Sequence, residues 1–96
     1  MGRKRVNVFK EIEDETFKRI TYSKRKKGII KKAFEISLLC GQDVMLTIYN
    51  KSNNKLVLYQ STPEFNPSKV NELLAQEATK TLYEEHTNAD FEQDGN

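Results

Sequence analysis

The 96-residue sequence has little of what stabilises secreted domains or membrane proteins. It contains one cysteine, Cys40, so no disulfide can form within the chain. There is no run of about 20 apolar residues, and no signal-like apolar segment follows the charged start. We therefore expect an intracellular soluble protein without a membrane partner. Because Cys40 lies in an apolar run, we expect it to be a small buried hydrophobic residue.

Residues that carry catalytic chemistry are equally scarce. The single histidine, His86, lies in a polar C-terminal segment, and no His/Cys set has metal-ligand spacing. No glycine-rich phosphate loop and no nucleophile–base pair is present. The adjacent acids Glu84 and Glu85 splay apart on a helix. The sequence therefore argues against an enzyme, and we expect no cofactor, no metal and no small-molecule substrate.

What the sequence has in excess is positive charge at one end. Residues 1–32 hold twelve Lys and Arg against four acids, a net of +8. Residues 33–96 hold four Lys and Arg against ten acids, a net of −6. This polarity predicts an electropositive binding end and a solvating or partner-facing remainder. A chain this short buries only about 60–65% of its unfolded surface, and oligomerisation is one way in which such a chain gains further core.

The order of local patterns predicts an α+β fold. Residues 1–13 form a basic N-terminal arm in this interpretation. Asp14 is the expected N-cap of a long amphipathic helix over about 14–40, which Gly41 ends. Alternating residues on either side of the turn sequence 50–54 predict an antiparallel β-hairpin over about 43–60. Both faces of its strands are largely apolar, so both should be covered.

A second helix is predicted after the hairpin. Asn66 is a suitable N-cap, with Pro67 at the first helical position. Apolar residues then recur at helical spacing, namely Val70, Leu73, Leu74, Ala78 and Leu82. We assign residues 61–86 to this extension, which serves dimerisation and partner binding, and residues 87–96 to a mobile acidic tail.

The first helix is unusually basic on one side. Six of the nine residues 24–32 are lysine or arginine, and most share a face opposite Ala33. Gly28 lies in the middle of this face, although glycine there costs about 1 kcal/mol relative to alanine. A missing side chain lets a ligand approach the helix backbone, and its cationic neighbours indicate a polyanion.

Such a cluster can also be a solvated face or a nuclear-localisation signal. Two features favour DNA over those interpretations. The charges keep one face over three turns, and a basic arm precedes the helix, as in proteins that read the narrow minor groove of A·T-rich DNA.

The segments MGRKRV and ITYSKRKKGIIKKAFEISLLCGQDVMLTIYN resemble the MADS-box domain of transcription factors, above all in residues 24–40. The resemblance covers about residues 2–60, so we take residues 1–60 as the MADS box, and it continues weakly into the second helix. It implies a nuclear, sequence-specific DNA-binding domain acting as a homodimer or as a heterodimer with another MADS-box protein. The implied targets are double-stranded, A/T-rich palindromic sites of the CArG-box or muscle-enhancer kind.

The resemblance also implies a layered α/β/α dimer. In that arrangement two long helices lie antiparallel over the minor groove, the hairpins pair into one sheet beneath them, and the C-terminal helices form a third layer. It implies that Gly2 and Arg3 enter the minor groove and that Lys24 reaches base edges. Arg25, Lys31 and Lys32 are expected to grip phosphates and help bend the duplex.

The complete site prediction has three parts. The DNA-binding residues are Gly2, Arg3, Lys4, Arg5, Lys18, Thr21, Ser23, Lys24, Arg25, Gly28, Lys31 and Lys32. The dimerisation residues are Ile29, Ala33, Phe34, Ile36, Leu38, Leu39, Leu46, Ile48 and Leu58. A groove for co-regulator proteins contains Val70, Leu73, Leu74 and Glu77.

The stretch before the helix departs from the family pattern. The sequence FKEIEDETF is one residue longer than usual, and Lys18 stands where arginine is common. Acids are also dense there: Glu11, Glu13, Asp14 and Glu15. The contacts of residues 6–18 with DNA are therefore the least defined part of the prediction.

Several alternatives stay open. TNAD near the end favours the myocyte-enhancer-factor branch, whereas STPEFNP after the hairpin favours the serum-response-factor and yeast cell-cycle branch. A dimeric protein-interaction module that recruits co-regulators, with non-specific nucleic-acid affinity, is a second interpretation. An RNA-binding protein is a weaker third one, because Tyr49 and Tyr59 lie on strands expected to be covered.

Overall fold

The computed structural model describes residues 10–76 and 83–92. In chain order these form helix α1 (Glu15–Cys40), strands β1 (Met45–Asn50) and β2 (Lys55–Gln60), helix α2 (Pro67–Ala75) and a helical turn α3 (Asn88–Glu92). The predicted α+β order of long helix, hairpin and C-terminal helix is confirmed. Positions 1–9 of the arm and 77–82 of the second helix lie outside the described residues. The division at residues 60 and 86 stays a prediction.

Helix α1 begins and ends where the sequence supplies caps. The Asp14 carboxylate accepts a hydrogen bond from the backbone N–H of Phe17 at 2.9 Å, so the predicted N-cap is confirmed. At the other end Gly41 has φ +65°, a left-handed conformation that glycine adopts without strain. The 26 residues between these caps form a rod about 39 Å long.

Asparagine side chains build the hairpin turn at residues 51–54. The Asn50 carboxamide oxygen accepts from the Ser52 N–H at 2.9 Å, and that of Asn53 accepts from the Lys55 N–H at 3.0 Å. Asn54 has φ +62°, a conformation that asparagine tolerates better than most residues. The resulting antiparallel register pairs Asn50 with Lys55 and decides which side chains share a face of the sheet.

The two faces of the hairpin differ in exposure. Ile48 pairs with Val57 on the face toward α1, and both are half-buried. On the other face Tyr49, Leu56 and Leu58 are 59, 63 and 46% exposed. The expectation that both faces are covered is therefore not met by the described part of a single chain. The apolar pattern of the strands indicates that a face needs cover, but not which molecule provides it.

The core of the single chain is very small. Ala33, on the side of α1 that faces the hairpin, is the one buried residue among those described. Strands of six residues extend about 20 Å, half the length of α1, so one hairpin cannot shield the whole helix. Phe34, which follows Ala33 but lies about 100° further around the helix, is half exposed. The prediction that Cys40 is buried is wrong, because this last residue of α1 is exposed.

Helix α2 starts at the predicted residues. Asn66 accepts a hydrogen bond from the Lys69 N–H at 2.9 Å, and Pro67 occupies the first turn. Within the described ranges the helix ends at Ala75, with Gln76 in extended conformation. No helix in those ranges is long and apolar enough to cross a membrane.

At the predicted boundary between the extension and the acidic tail, His86 lies between two carboxylates. Its Nε2 atom is 2.6 Å from Glu84 Oε2, and its Nδ1 atom is 3.5 Å from Asp90 Oδ2. The hydrogen bond to Glu84 raises the pKa of His86 above its usual 6.5. Asp90 also accepts from the Thr87 N–H at 2.9 Å, so one carboxylate both caps α3 and attracts the histidine.

Gly28→Ala is expected to raise the free energy of unfolding by about 0.5–1 kcal/mol. A Cβ added at Gly28 meets no atom within 4 Å, so the gain comes from helix propensity alone. Denaturant unfolding at one fixed protein concentration measures it.

Gly41→Ala is the matched control for that variant. Its Cβ is equally unobstructed, but alanine at φ +65° is strained, so stability should fall by about 1–2 kcal/mol. A loss of stability in Gly28→Ala would contradict the expectation and would indicate another surface packed against position 28.

Candidate nucleic-acid interface

Helix α1 presents a broad positive surface. It carries eight basic residues against two acids, Glu15 and Glu35. At about 100° per residue, Lys24 and Lys31 stand about 180° and 160° around the helix from Ala33. These lysines therefore point away from the hairpin. The exposed basic residues of α1, here called the basic face, are Arg19, Lys24, Arg25, Lys27, Lys31 and Lys32. Lys24, Lys27 and Lys31 stand on the far side of the helix from Ala33, Arg25 and Lys32 stand at its flanks, and Arg19 is an exposed residue about 40° from Ala33.

The positive charge of the basic face is not compensated within the chain as described. None of its six members forms an ion pair with an acid in residues 10–76 or 83–91. Uncompensated charge along successive helical turns produces a local potential that attracts polyanions. Regularly spaced phosphates are the partner that such a row fits best.

Lys18, in the first turns of α1, is paired with acidic residues of its own chain. Its Nζ donates a hydrogen bond to Glu11 Oε2 at 2.8 Å and lies 3.5 Å from Glu15 Oε2. The hydrogen bond to Glu11 raises the pKa of Lys18 and, with the attraction between the two charges, lowers that of Glu11. Lys51 of the hairpin turn adds a smaller effect on Glu11. Lys18 was predicted to bind DNA, but in the isolated chain it is paired internally.

A groove of about 560 Å³ runs along α1 beside β1. It is lined by Tyr22, Arg25, Lys26, Gly28, Ile29, Lys32 and Ile48. Gly28 thus contributes to this groove as well as to the exposed side of the helix. Its lining combines apolar and basic side chains, which places the groove at the boundary between the hairpin-facing side of α1 and the basic face.

The predicted DNA-binding set missed two basic residues of α1. Lys26 falls on the hairpin-facing side of the helix, and its Nζ lies 5.3 Å from the centre of the Tyr22 ring, a cation–π distance. The available signal was the spacing of four residues between them, which makes helix side chains neighbours. Arg19 was missed as well, and in the structure it is exposed on α1.

The predicted DNA-binding residues fall into distinct groups. Gly2, Arg3, Lys4 and Arg5 lie outside the described residues. Ser23, Lys24, Arg25, Gly28, Lys31 and Lys32 lie on the exposed surface of α1, and Thr21 is half-buried. The structure therefore exposes the helical members of the set on one helix, apart from the half-buried Thr21 and the internally paired Lys18.

The predicted dimerisation residues are mostly uncovered in the single chain. Ala33 is buried, and Leu46 and Ile48 are half-buried. The remaining members are exposed: Ile29, Phe34, Ile36, Leu38, Leu39 and Leu58. This much apolar surface in water is unfavourable and is typical of a protein–protein interface.

The predicted co-regulator groove is only partly within the described residues. Val70 and Leu73 of α2 are half-buried, whereas Leu74 is exposed. Glu77 lies outside the described residues. The described part of α2 therefore offers one exposed leucine to a partner.

Known proteins resemble this chain over the same elements. Residues 11–59 match the family of SRF-type transcription factors, whose matched region is described as a DNA-binding and dimerisation domain. The chain is 42% identical over 91 residues to human myocyte-specific enhancer factor 2D, covering 95% of the chain and 16% of that protein. It is 45% identical over 62 residues to the MEF2 transcription factor homolog of Caenorhabditis elegans, covering 65% of the chain and 18% of that protein.

A third relative, myocyte-specific enhancer factor 2A of Mus musculus, is 47% identical over 62 residues, covering 65% of the chain and 12% of that protein. The chain thus spans less than a fifth of the length of these relatives.

The family match and the geometry coincide. The matched residues include all of α1 and β1 and all but the last residue of β2. They therefore contain both the uncompensated basic face and the uncovered apolar residues of the helix and hairpin. The resemblance to the MADS box is confirmed, and members of this family are transcription factors rather than enzymes. The chain belongs to the SRF-type transcription factor family, and residues 11–59 form its DNA-binding and dimerisation domain.

Proposed function

We propose that this chain binds A/T-rich palindromic DNA in the nucleus as a homodimer or as a heterodimer with another MADS-box protein. One observation carries the proposal: the basic face of α1 has no acidic partner among the described residues, while the opposite side of the helix packs on the hairpin. A helix arranged in this way can hold phosphates and a protein surface at the same time.

The DNA contacts divide between two segments. The basic face of α1 grips phosphates, mainly through Arg25, Lys31 and Lys32, and Lys24 reaches base edges. The N-terminal arm, with Gly2 and Arg3, enters the minor groove, where A·T-rich sequence narrows the groove and attracts arginine. Phosphate contacts position the dimer, and the arm supplies most of the preference for A·T pairs.

Dimerisation covers the exposed apolar residues of α1 and the hairpin. Leu38 and Leu39 of the helix and Leu58 of β2 are exposed in the single chain and become buried in the pair. A two-fold symmetric dimer presents two copies of the basic face, which explains a palindromic site.

Between the two kinds of A/T-rich site, the muscle-enhancer kind is favoured. The 42% identity to human myocyte-specific enhancer factor 2D extends over 91 residues and therefore includes the segment after the hairpin. The sequence TNAD lies in that same segment.

Selection from random duplexes with the purified full chain is expected to recover an A/T-centred palindrome. About six phosphate contacts per subunit give a slope of roughly −10 for log affinity against log salt concentration. A slope shallower than about −4, or recovery of no such palindrome, would contradict the proposal. Preference for double-stranded RNA in competition would instead support the RNA-binding alternative.

Lys31→Ala and Arg3→Ala should separate the two kinds of contact. Lys31→Ala is expected to weaken binding to all duplexes alike and to reduce the salt slope by about one per subunit. Arg3→Ala should mainly erode the preference for A·T-rich over G·C-rich duplexes. Binding titrations on both duplexes measure this, and a proportional loss on every sequence for both variants would refute the division.

The exposed Leu74 favours a second activity, recruitment of a co-regulator protein through α2. Leu74→Asp is expected to abolish partner capture in pull-downs and to leave DNA affinity unchanged. Asn71→Asp adds the same charge at another exposed position of α2 and serves as the control. Equal loss of capture in both variants, or loss of DNA binding with Leu74→Asp, would count against this surface.

A further inference from the structure

We propose that Glu11 competes with DNA phosphate for Lys18. Its carboxylate keeps the Lys18 ammonium in an internal ion pair and thereby weakens DNA binding. The inference rests on the proposed DNA-binding function and adds a residue that tunes its affinity. Glu11 is a positioning residue in this proposal, since it acts through Lys18.

The geometry of the pair supports this role. Glu11 precedes α1, and its Oε2 atom accepts a hydrogen bond from Lys18 Nζ at 2.8 Å across seven positions of sequence. Glu15 lies on the same ammonium group at 3.5 Å. Two carboxylates therefore face one lysine, and the net charge of this cluster is −1. A phosphate that binds Lys18 must either displace Glu11 or bind an ammonium whose charge Glu11 has already neutralised.

The pairing is selective within α1. The six residues of the basic face have no acidic partner among the described residues, whereas Lys18 has two. The Lys18 side chain is also less exposed than its partners, at 36% against 78% for Glu11 and 83% for Glu15. The ammonium is therefore oriented toward the carboxylates and would have to leave them to reach a phosphate.

The raised pKa of Lys18 and the lowered pKa of Glu11 agree with a close contact between charged groups. Lys51 in the hairpin turn acts on Glu11 in the same direction and helps to keep its carboxylate ionised. The acid that retains Lys18 thus carries its charge throughout the physiological pH range.

The proposal predicts how much the salt dependence of DNA binding should change. A lysine that does not neutralise a phosphate releases no counterion, so Lys18 adds nothing to the salt dependence of binding. If Glu11 is neutralised, Lys18 becomes available, and each subunit gains about 0.9 in the magnitude of the log–log slope. A dimer should then show a slope steeper by about two.

A double-mutant cycle distinguishes this mechanism from simple repulsion between Glu11 and DNA. Glu11→Gln, Lys18→Gln and the double variant are made in the full chain. Glu13→Gln, made alone and together with Lys18→Gln, is the matched control, because Glu13 is an exposed acid of the same segment with no ion pair among the described residues. Affinity for one A/T-rich duplex is measured at several salt concentrations.

Glu11→Gln is expected to tighten binding about threefold to tenfold and to steepen the slope by about two per dimer. Glu13→Gln should give a smaller gain, equal in the presence and absence of Lys18. In the Lys18→Gln background the effect of Glu11→Gln should shrink to that of Glu13→Gln.

Equal effects of Glu11→Gln in both backgrounds, or an unchanged slope, would overturn the inference while leaving DNA binding intact. Absence of DNA binding by the unmodified chain would overturn the proposed function and this inference together. An NMR titration without DNA provides a second measurement: Lys18→Gln should return the lowered pKa of Glu11 toward 4.5. No change in that pKa would show that the pair does not form, and would also reject the inference.

Discussion

The difference in length between α1 and the hairpin is the constraint on which this structure depends. A helix of about 39 Å lies on strands of about 20 Å, and Ala33 is the one residue in the described ranges that becomes buried. The apolar residues of α1 that the hairpin leaves exposed, such as Phe34 and Leu38, need a surface from another chain. A dimerisation domain solves this problem, because each copy supplies the surface that the other lacks.

The helical period explains why α1 can present two different surfaces. One side of the helix, around Ala33, contacts the hairpin, and the side about 180° away, around Lys24, meets no other element among the described residues. The helical period separates the two surfaces, so one segment can be both basic and apolar. The groove containing Gly28 and Ile48 marks the boundary between them, and there the Lys26 ammonium lies over the Tyr22 ring.

Local features of this fold could be predicted from the sequence, whereas features that depend on distant or external neighbours could not. The caps at Asp14, Gly41 and Asn66 involve side chains and backbone within a few residues, so their residue types indicate them directly. The pairing of Lys18 with Glu11 requires the chain before α1 to fold back, which no periodicity reports. Cys40 was misjudged because an apolar pattern indicates that cover is needed and does not identify the molecule that provides it.

The nearly empty core has a consequence for the protein in the cell. Where folding and pairing are one event, the amount of folded protein rises with the square of the chain concentration at low levels. A newly made chain without a partner remains open to proteases and chaperones, since its helix has little to pack against. The abundance of the active species is then set by the supply of partner chains. Two such proteins made in the same cell would stabilise or deplete each other through the pairs they form.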